Sequence, residues 1–94
     1  MMNENENTFK KTIDEAFNKI NQFQGGNILF YKKFHRSRAV VSTWKAGKVI
    51  PQHDDILKFI EVSNEVIREC IAEKEARNKK QSELMSEFTS LVSA

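Results

Sequence analysis

An all-α fold, about four helices with the last followed by a long C-terminal helix, is what the residue pattern of this 94-residue chain predicts. Three observations carry that expectation. Apolar residues recur at three- and four-residue intervals through most of the chain. Its three glycines and single proline, Gly25, Gly26, Gly47 and Pro51, fall between those periodic segments rather than within them. After Pro51 no glycine or proline occurs at all, so nothing interrupts a helix there.

Residues 1–8, MMNENENT, are polar and aperiodic and read as a disordered N-terminal tail, with Thr8 able to cap the helix after it. From Phe9 to about Phe23, the positions Phe9, Ile13, Ala16, Phe17, Ile20 and Phe23 form one apolar stripe and predict an amphipathic first helix. Gln24-Gly25-Gly26-Asn27 stops it, because glycine accepts the left-handed conformations that a helix stop and tight turn need. A short second helix comes next, from about Asn27 or Ile28 to Phe34, with Ile28, Phe30, Tyr31 and Phe34 apolar.

Ser37 is placed to cap a third helix over Arg38 to Lys45. Its Val41 and Trp44 face one way, toward a core, while Arg38, Ala39, Ser42 and Thr43 face another. Val40 fits either side. Gly47 ends the helix, with Lys48 and Pro51 in the turn beyond it. A fourth helix from about Gln52 to Val62 begins with Asp54 and Asp55 at the positive end of its dipole, and Ile56, Leu57, Phe59 and Ile60 supply core. A break near Ser63-Asn64 would divide residues 9–62 from a C-terminal helix over 63–94.

That last helix changes character along its length. Val66, Ile67, Cys70 and Ile71 continue the apolar stripe, but residues 73–82, EKEARNKKQS, are almost wholly polar. Leu84, Met85, Phe88, Leu91 and Val92 then restore an apolar face beyond the polar spacer. Such a face on so small a chain calls for a partner surface, and we expect Leu84, Met85, Phe88 and Leu91 to form an interface between copies.

Composition sets the class. The charged fraction of 30% and hydrophobic fraction of 39% suit one small globular domain. No apolar run approaches the roughly 20 residues that cross a bilayer, and the acidic start lacks the basic flank and apolar core of a signal peptide, so a cytoplasmic location is expected. Cys70 is the single cysteine and reads as a small buried residue. No metal-ligand spacing, phosphate loop or nucleophile constellation is visible, so neither an enzyme nor a metal or cofactor is expected, and no small-molecule ligand is evident.

Net charge is only +2, yet it is unevenly spread. Between Ala16 and Asp54 there is no acidic residue, while Lys19, Lys32, Lys33, Arg36, Arg38, Lys45 and Lys48 supply seven positive charges. A basic stretch centred on a short helix is the electrostatic pattern of a duplex binder.

Within this stretch Ser37-Arg38, Val41-Ser42, Trp44, Gly47-Lys48 and Ile50-Pro51 resemble the second half of the helix-turn-helix in lambda-repressor-like proteins, the Cro/cI or xre family. The resemblance extends more loosely over Phe9 to Val62. It implies a helix-turn-helix domain that inserts residues 38–45 into the major groove, with Ser37, Arg38, Ala39, Ser42 and Thr43 at base edges. Phosphate contacts are implied at Lys32, Lys33, Arg36, Lys45, Lys48 and His53. Three positions depart from the family pattern: Tyr31 stands where a small residue is usual, His35 where glycine makes the turn, and Arg36 where a small aliphatic residue is usual. Histidine can accept a positive φ; Tyr31 either splays the helix pair or points outward.

The expected function is therefore that of a sequence-specific transcriptional regulator, phage-, plasmid- or bacterium-encoded, binding double-stranded DNA as a homodimer or homotetramer and nucleoid-associated when bound. Two subtypes fit: a Cro/cI-like repressor on an inverted repeat, or, by size, layout and the S-x-W-K context, an activator similar to the lambda CII type on direct repeats. From another class, the chain could be a protein-binding module, such as a phage inhibitor of a host protein, that keeps the scaffold.

Overall fold

The computed structural model describes the backbone of residues 4–94 and the side chains from Phe9 onward; the first three residues of the expected tail lie outside it. The described residues form four helices: α1 (Glu4–Ile20), α2 (Gly26–Lys33), α3 (Arg38–Lys45) and α4 (His53–Ser93). The all-α expectation holds. Helix α1 begins at Glu4, so residues 4–8 are helical rather than a loose tail and Thr8 is inside the helix, not at its cap.

Buried residues Phe9, Ile13, Phe17 and Ile20 give α1 its inner stripe. It ends earlier than the periodicity suggests, at Ile20, because the chain then winds in tight turns: the Phe23 N–H donates to the Ile20 carbonyl and the Gly26 N–H to the Phe23 carbonyl, both at 3.1 Å. Phe23 still packs on the core from this turn. Both glycines are required there, for different reasons. Gly25 has φ of +79°, and a Cβ on Gly26 would collide with the backbone carbonyl of Ile20.

Helix α2 stops at Lys33 because Phe34 is extended, at φ −87° and ψ 137°. Phe30 and Phe34 are buried, but Ile28, expected in the core, is 61% exposed. It falls on the side of a two-turn helix that faces away from α1 and α4. Helix α3 is capped as expected, with Ser37 Oγ accepting the Val40 N–H at 3.3 Å. Its far end is a Schellman arrangement around Gly47 at φ +76°: Gly47 N–H donates to Trp44 at 3.1 Å and Lys48 N–H to Thr43 at 2.9 Å.

The expected break at Ser63-Asn64 does not occur. Helix α4 runs unbroken for 41 residues, since Asp55, Phe59, Val62, Val66 and Cys70 keep a single buried stripe across the junction. Leu57 and Ile60 lie off that stripe and are 53% and 37% exposed, so the core share assigned to them falls to Phe59 and, in part, Ile56. Beyond Cys70 every residue is exposed, and the helix projects from the globular unit to give an object 70 × 24 × 18 Å. Burial pushes the Cys70 thiol above its usual pKa, as suits an inert core residue.

Phe59 is the centre of the core. Its ring lies 5.4–5.8 Å from those of Phe9, Phe17, Phe30 and Phe34, all near edge-on, so one residue of α4 joins α1, α2 and the start of the α2–α3 turn. Trp44 closes the same cluster from α3, with its ring 6.0 Å from Phe34 and 6.5 Å from Phe9. Removing a ring of this kind from a core costs about 3–5 kcal/mol.

Candidate nucleic-acid interface

The interface begins with how α3 is held. Val41 and Trp44 bury one face, and the backbone of α3 packs chiefly against α1. The side left outward carries small residues: Ala39 and Ser42 are exposed, and Thr43 is half-buried with its hydroxyl donating to the Val40 carbonyl at 2.6 Å. A short helix faced with small side chains can approach another surface closely. Ser37 is exposed, but its hydroxyl is engaged by the cap.

Arg38 flanks this face and leans on Tyr31, its guanidinium 4.6 Å from the ring centroid. Tyr31 in turn stacks on Phe17 at 6.1 Å and 18°. Tyr31 thus fills the space between α1 and α3, and points neither into the centre of the core nor out to solvent. Burial raises the pKa of its phenol, against the opposing pull of Arg38, so it stays protonated and able to donate. Lys45, two turns along α3, lies over Phe17 at 5.8 Å.

The other basic residues divide into two groups. Lys33 donates to Glu65 at 3.0 Å and to Glu69 at 3.2 Å, and the bonds to these two carboxylates raise its pKa. Arg36 donates through Nε and Nη2 to the two oxygens of Asp55, each at 3.2 Å, and His35 Nε2 sits 2.9 Å from the same carboxylate. Asp55 is 7% exposed, and the Arg36 guanidinium beside it holds its pKa below the usual carboxylate range. These pairs tie the end of α2 and the α2–α3 turn to α4. Lys33 and Arg36 are therefore occupied within the fold, where phosphate contacts were expected.

Lys32, Arg38, Lys45 and Lys48 are exposed, and among the described residues none of them has a carboxylate partner. His53 is the exposed first residue of α4. The α2–α3 turn itself contains no left-handed residue, since no non-glycine among the described residues has a positive φ. His35 does not substitute conformationally for glycine; extended Phe34 and Ser37 make the turn, and Asp55 braces it.

Sequence reasoning did not assign roles to Asp55 as a brace, to Phe17 and Tyr31 as a platform for two cations, or to Asn27. Asp55 carried a signal only as a first-turn carboxylate. Its pairing partner is 19 residues away, beyond any local pattern. Leu84, Met85, Phe88 and Leu91 are 54–68% exposed on the projecting half of α4.

No family model matches the chain, and neither the curated proteins nor the solved structures contain a match to it. Among the described residues, no helix is long and apolar enough to cross a membrane.

Proposed function

We propose that this chain is a duplex-DNA-binding regulator of the lambda-repressor-like helix-turn-helix class, presenting α3 to the major groove and acting as a homo-oligomer joined through residues 84–91. What supports the reading is the outward face of α3: small side chains at Ala39, Ser42 and Thr43, edged by unneutralised Arg38, Lys45 and Lys48. In this reading Arg38 contacts a guanine edge, and Ala39 or the Thr43 methyl contacts a thymine methyl. Lys32, Lys45 and Lys48 contact phosphates and set register. Lys33 and Arg36 act indirectly, by fixing the turn that aims α3.

The number of unpaired cations gives a quantitative form. Three phosphate neutralisations per protomer, by Lys32, Lys45 and Lys48, correspond to a log–log salt slope of about −2.7. Salt titration of duplex binding by fluorescence anisotropy tests it, with Lys45→Gln and Lys48→Gln each expected to flatten the slope by about one. Absence of salt-dependent binding would favour the protein-binding alternative.

The projecting end of α4 serves assembly in this reading. A single copy of so short a helix makes few base contacts, and a second copy doubles them and imposes half-site spacing. In this reading the repressor subtype occludes a promoter from an inverted repeat, and the activator subtype assembles as a tetramer on direct repeats.

A further inference from the structure

An open cleft of about 220 Å³ lies where the turn after α1, the first turn of α2 and one flank of α3 meet. Its walls include Phe17 and Tyr31, stacked side by side, with Lys45 over the first ring and Arg38 over the second. Arg38 and Lys45 are two helical turns apart on α3, roughly 10 Å along its axis, and each head lies over one ring of the stacked pair. No acidic side chain lines the cleft. Asn21 and Asn27 also line the cleft.

These features specify a ligand. Two cations without a carboxylate attract an oxyanion, and the guanidinium edge left free by stacking on Tyr31 can donate to it. A cleft smaller than the usual pockets of about 300–1,000 Å³ suits a small molecule rather than a drug-sized one.

We propose that this cleft binds a small organic oxyanion, a carboxylate or a phosphate monoester. Such a ligand and a duplex would draw on the same Arg38 and Lys45, so occupation would oppose the presentation of α3.

The test uses the full chain labelled with ¹⁵N and follows the side-chain amide resonances of Asn21 and Asn27. Lactate serves as the hydroxy-carboxylate probe, glycerol phosphate as the monoester probe, and chloride at equal ionic strength as the control. Saturable shifts with at least one probe are expected, and the probe that saturates identifies the oxyanion. The Arg38→Gln, Lys45→Gln double variant should bind about tenfold more weakly or worse. Lys45→Gln alone should show an intermediate loss, and Lys79→Gln, on the projecting helix, should bind as the parent does. The proposal is overturned if neither probe saturates, if chloride reproduces the shifts, or if the folded double variant binds unchanged. No DNA enters the experiment, so its result is independent of the duplex reading.

Discussion

The Arg38 guanidinium lies over the ring of Tyr31, 4.6 Å from its centroid, and this contact sets the edge of the exposed face of α3. It holds a long side chain in one direction that rotamer freedom would otherwise spread. If Arg38 reads a base, Arg38→Ala should cost about 1–3 kcal/mol on the preferred duplex and less on others. Tyr31→Leu, which leaves the charge but removes its platform, should cost about 0.5–1 kcal/mol on the same duplex. Binding isotherms on preferred and scrambled sequences separate these, and equal loss on both would make Arg38 a phosphate contact.

Asp55 accepts from both Arg36 and His35, and its lowered pKa is a statement about stability. A carboxylate whose folded pKa lies below its unfolded value contributes stability that is complete above the unfolded value, about 3.9, and lost as pH falls through the folded one. Thermal unfolding followed from neutral pH to below pH 4 should show this loss, and Asp55→Asn should flatten that part of the profile. At neutral pH the same substitution should cost about 1–3 kcal/mol, since Arg36 and His35 are half in water and recover some hydration. An unchanged acid limb in Asp55→Asn would remove the brace from the account.

Gly26 and Gly25 differ in a way that single substitutions resolve. A Cβ at Gly26 meets the Ile20 backbone, whereas one at Gly25 meets nothing and is opposed only by φ of +79°. Gly26→Ala should therefore cost about 1–3 kcal/mol through overpacking. Gly25→Ala should cost about 1–2 kcal/mol, and Gly25→Asn distinctly less, because asparagine tolerates that conformation. Denaturant midpoints at constant m-value would report both.

Residues 82–94 make no buried contact with the rest of the chain, yet Leu84, Met85, Phe88, Leu91 and Val92 are among its most exposed apolar side chains. Deleting 82–94 should lower the oligomeric state while leaving the Trp44 environment and the cooperative unfolding of the globular unit intact. Sedimentation analysis beside Trp fluorescence checks this. A mass per particle that falls only by the deleted residues would show that the stripe joins no copies.

Much of the fold was legible because it depends on local chemistry. Ser37 as a cap and Gly47 as a stop follow from side-chain reach and φ preference alone, and both were readable in the sequence. The core stripe of α1 was readable for the same reason, through its period. The junction of α4 was not. Ser63 and Asn64 are weak helix formers, but Val62, Val66 and Cys70 keep burying the same face, and packing overrides so small a propensity. Leu57 and Ile60 escape the core expected of them because a hydrophobic residue need not be inside.

The candidate site was legible as a list of residue types and not as a set of partners. Lys33 and Arg36 look like any other cations in the basic stretch until the fold brings Glu65, Glu69 and Asp55 against them. Only the three-dimensional arrangement separates cations used for structure from those left free. The same holds for Tyr31, whose neighbours Phe17 and Arg38 lie on two other segments.

Selection from a random duplex library at about 150 mM salt, near the physiological Debye length of about 8 Å, tests the central claim most directly. The account predicts an enriched motif of two related half-sites, with enrichment lost in Arg38→Ala, and the inverted or direct order of the half-sites would assign the subtype. A pool that remains random, from a protein shown to be folded and assembled, would contradict it.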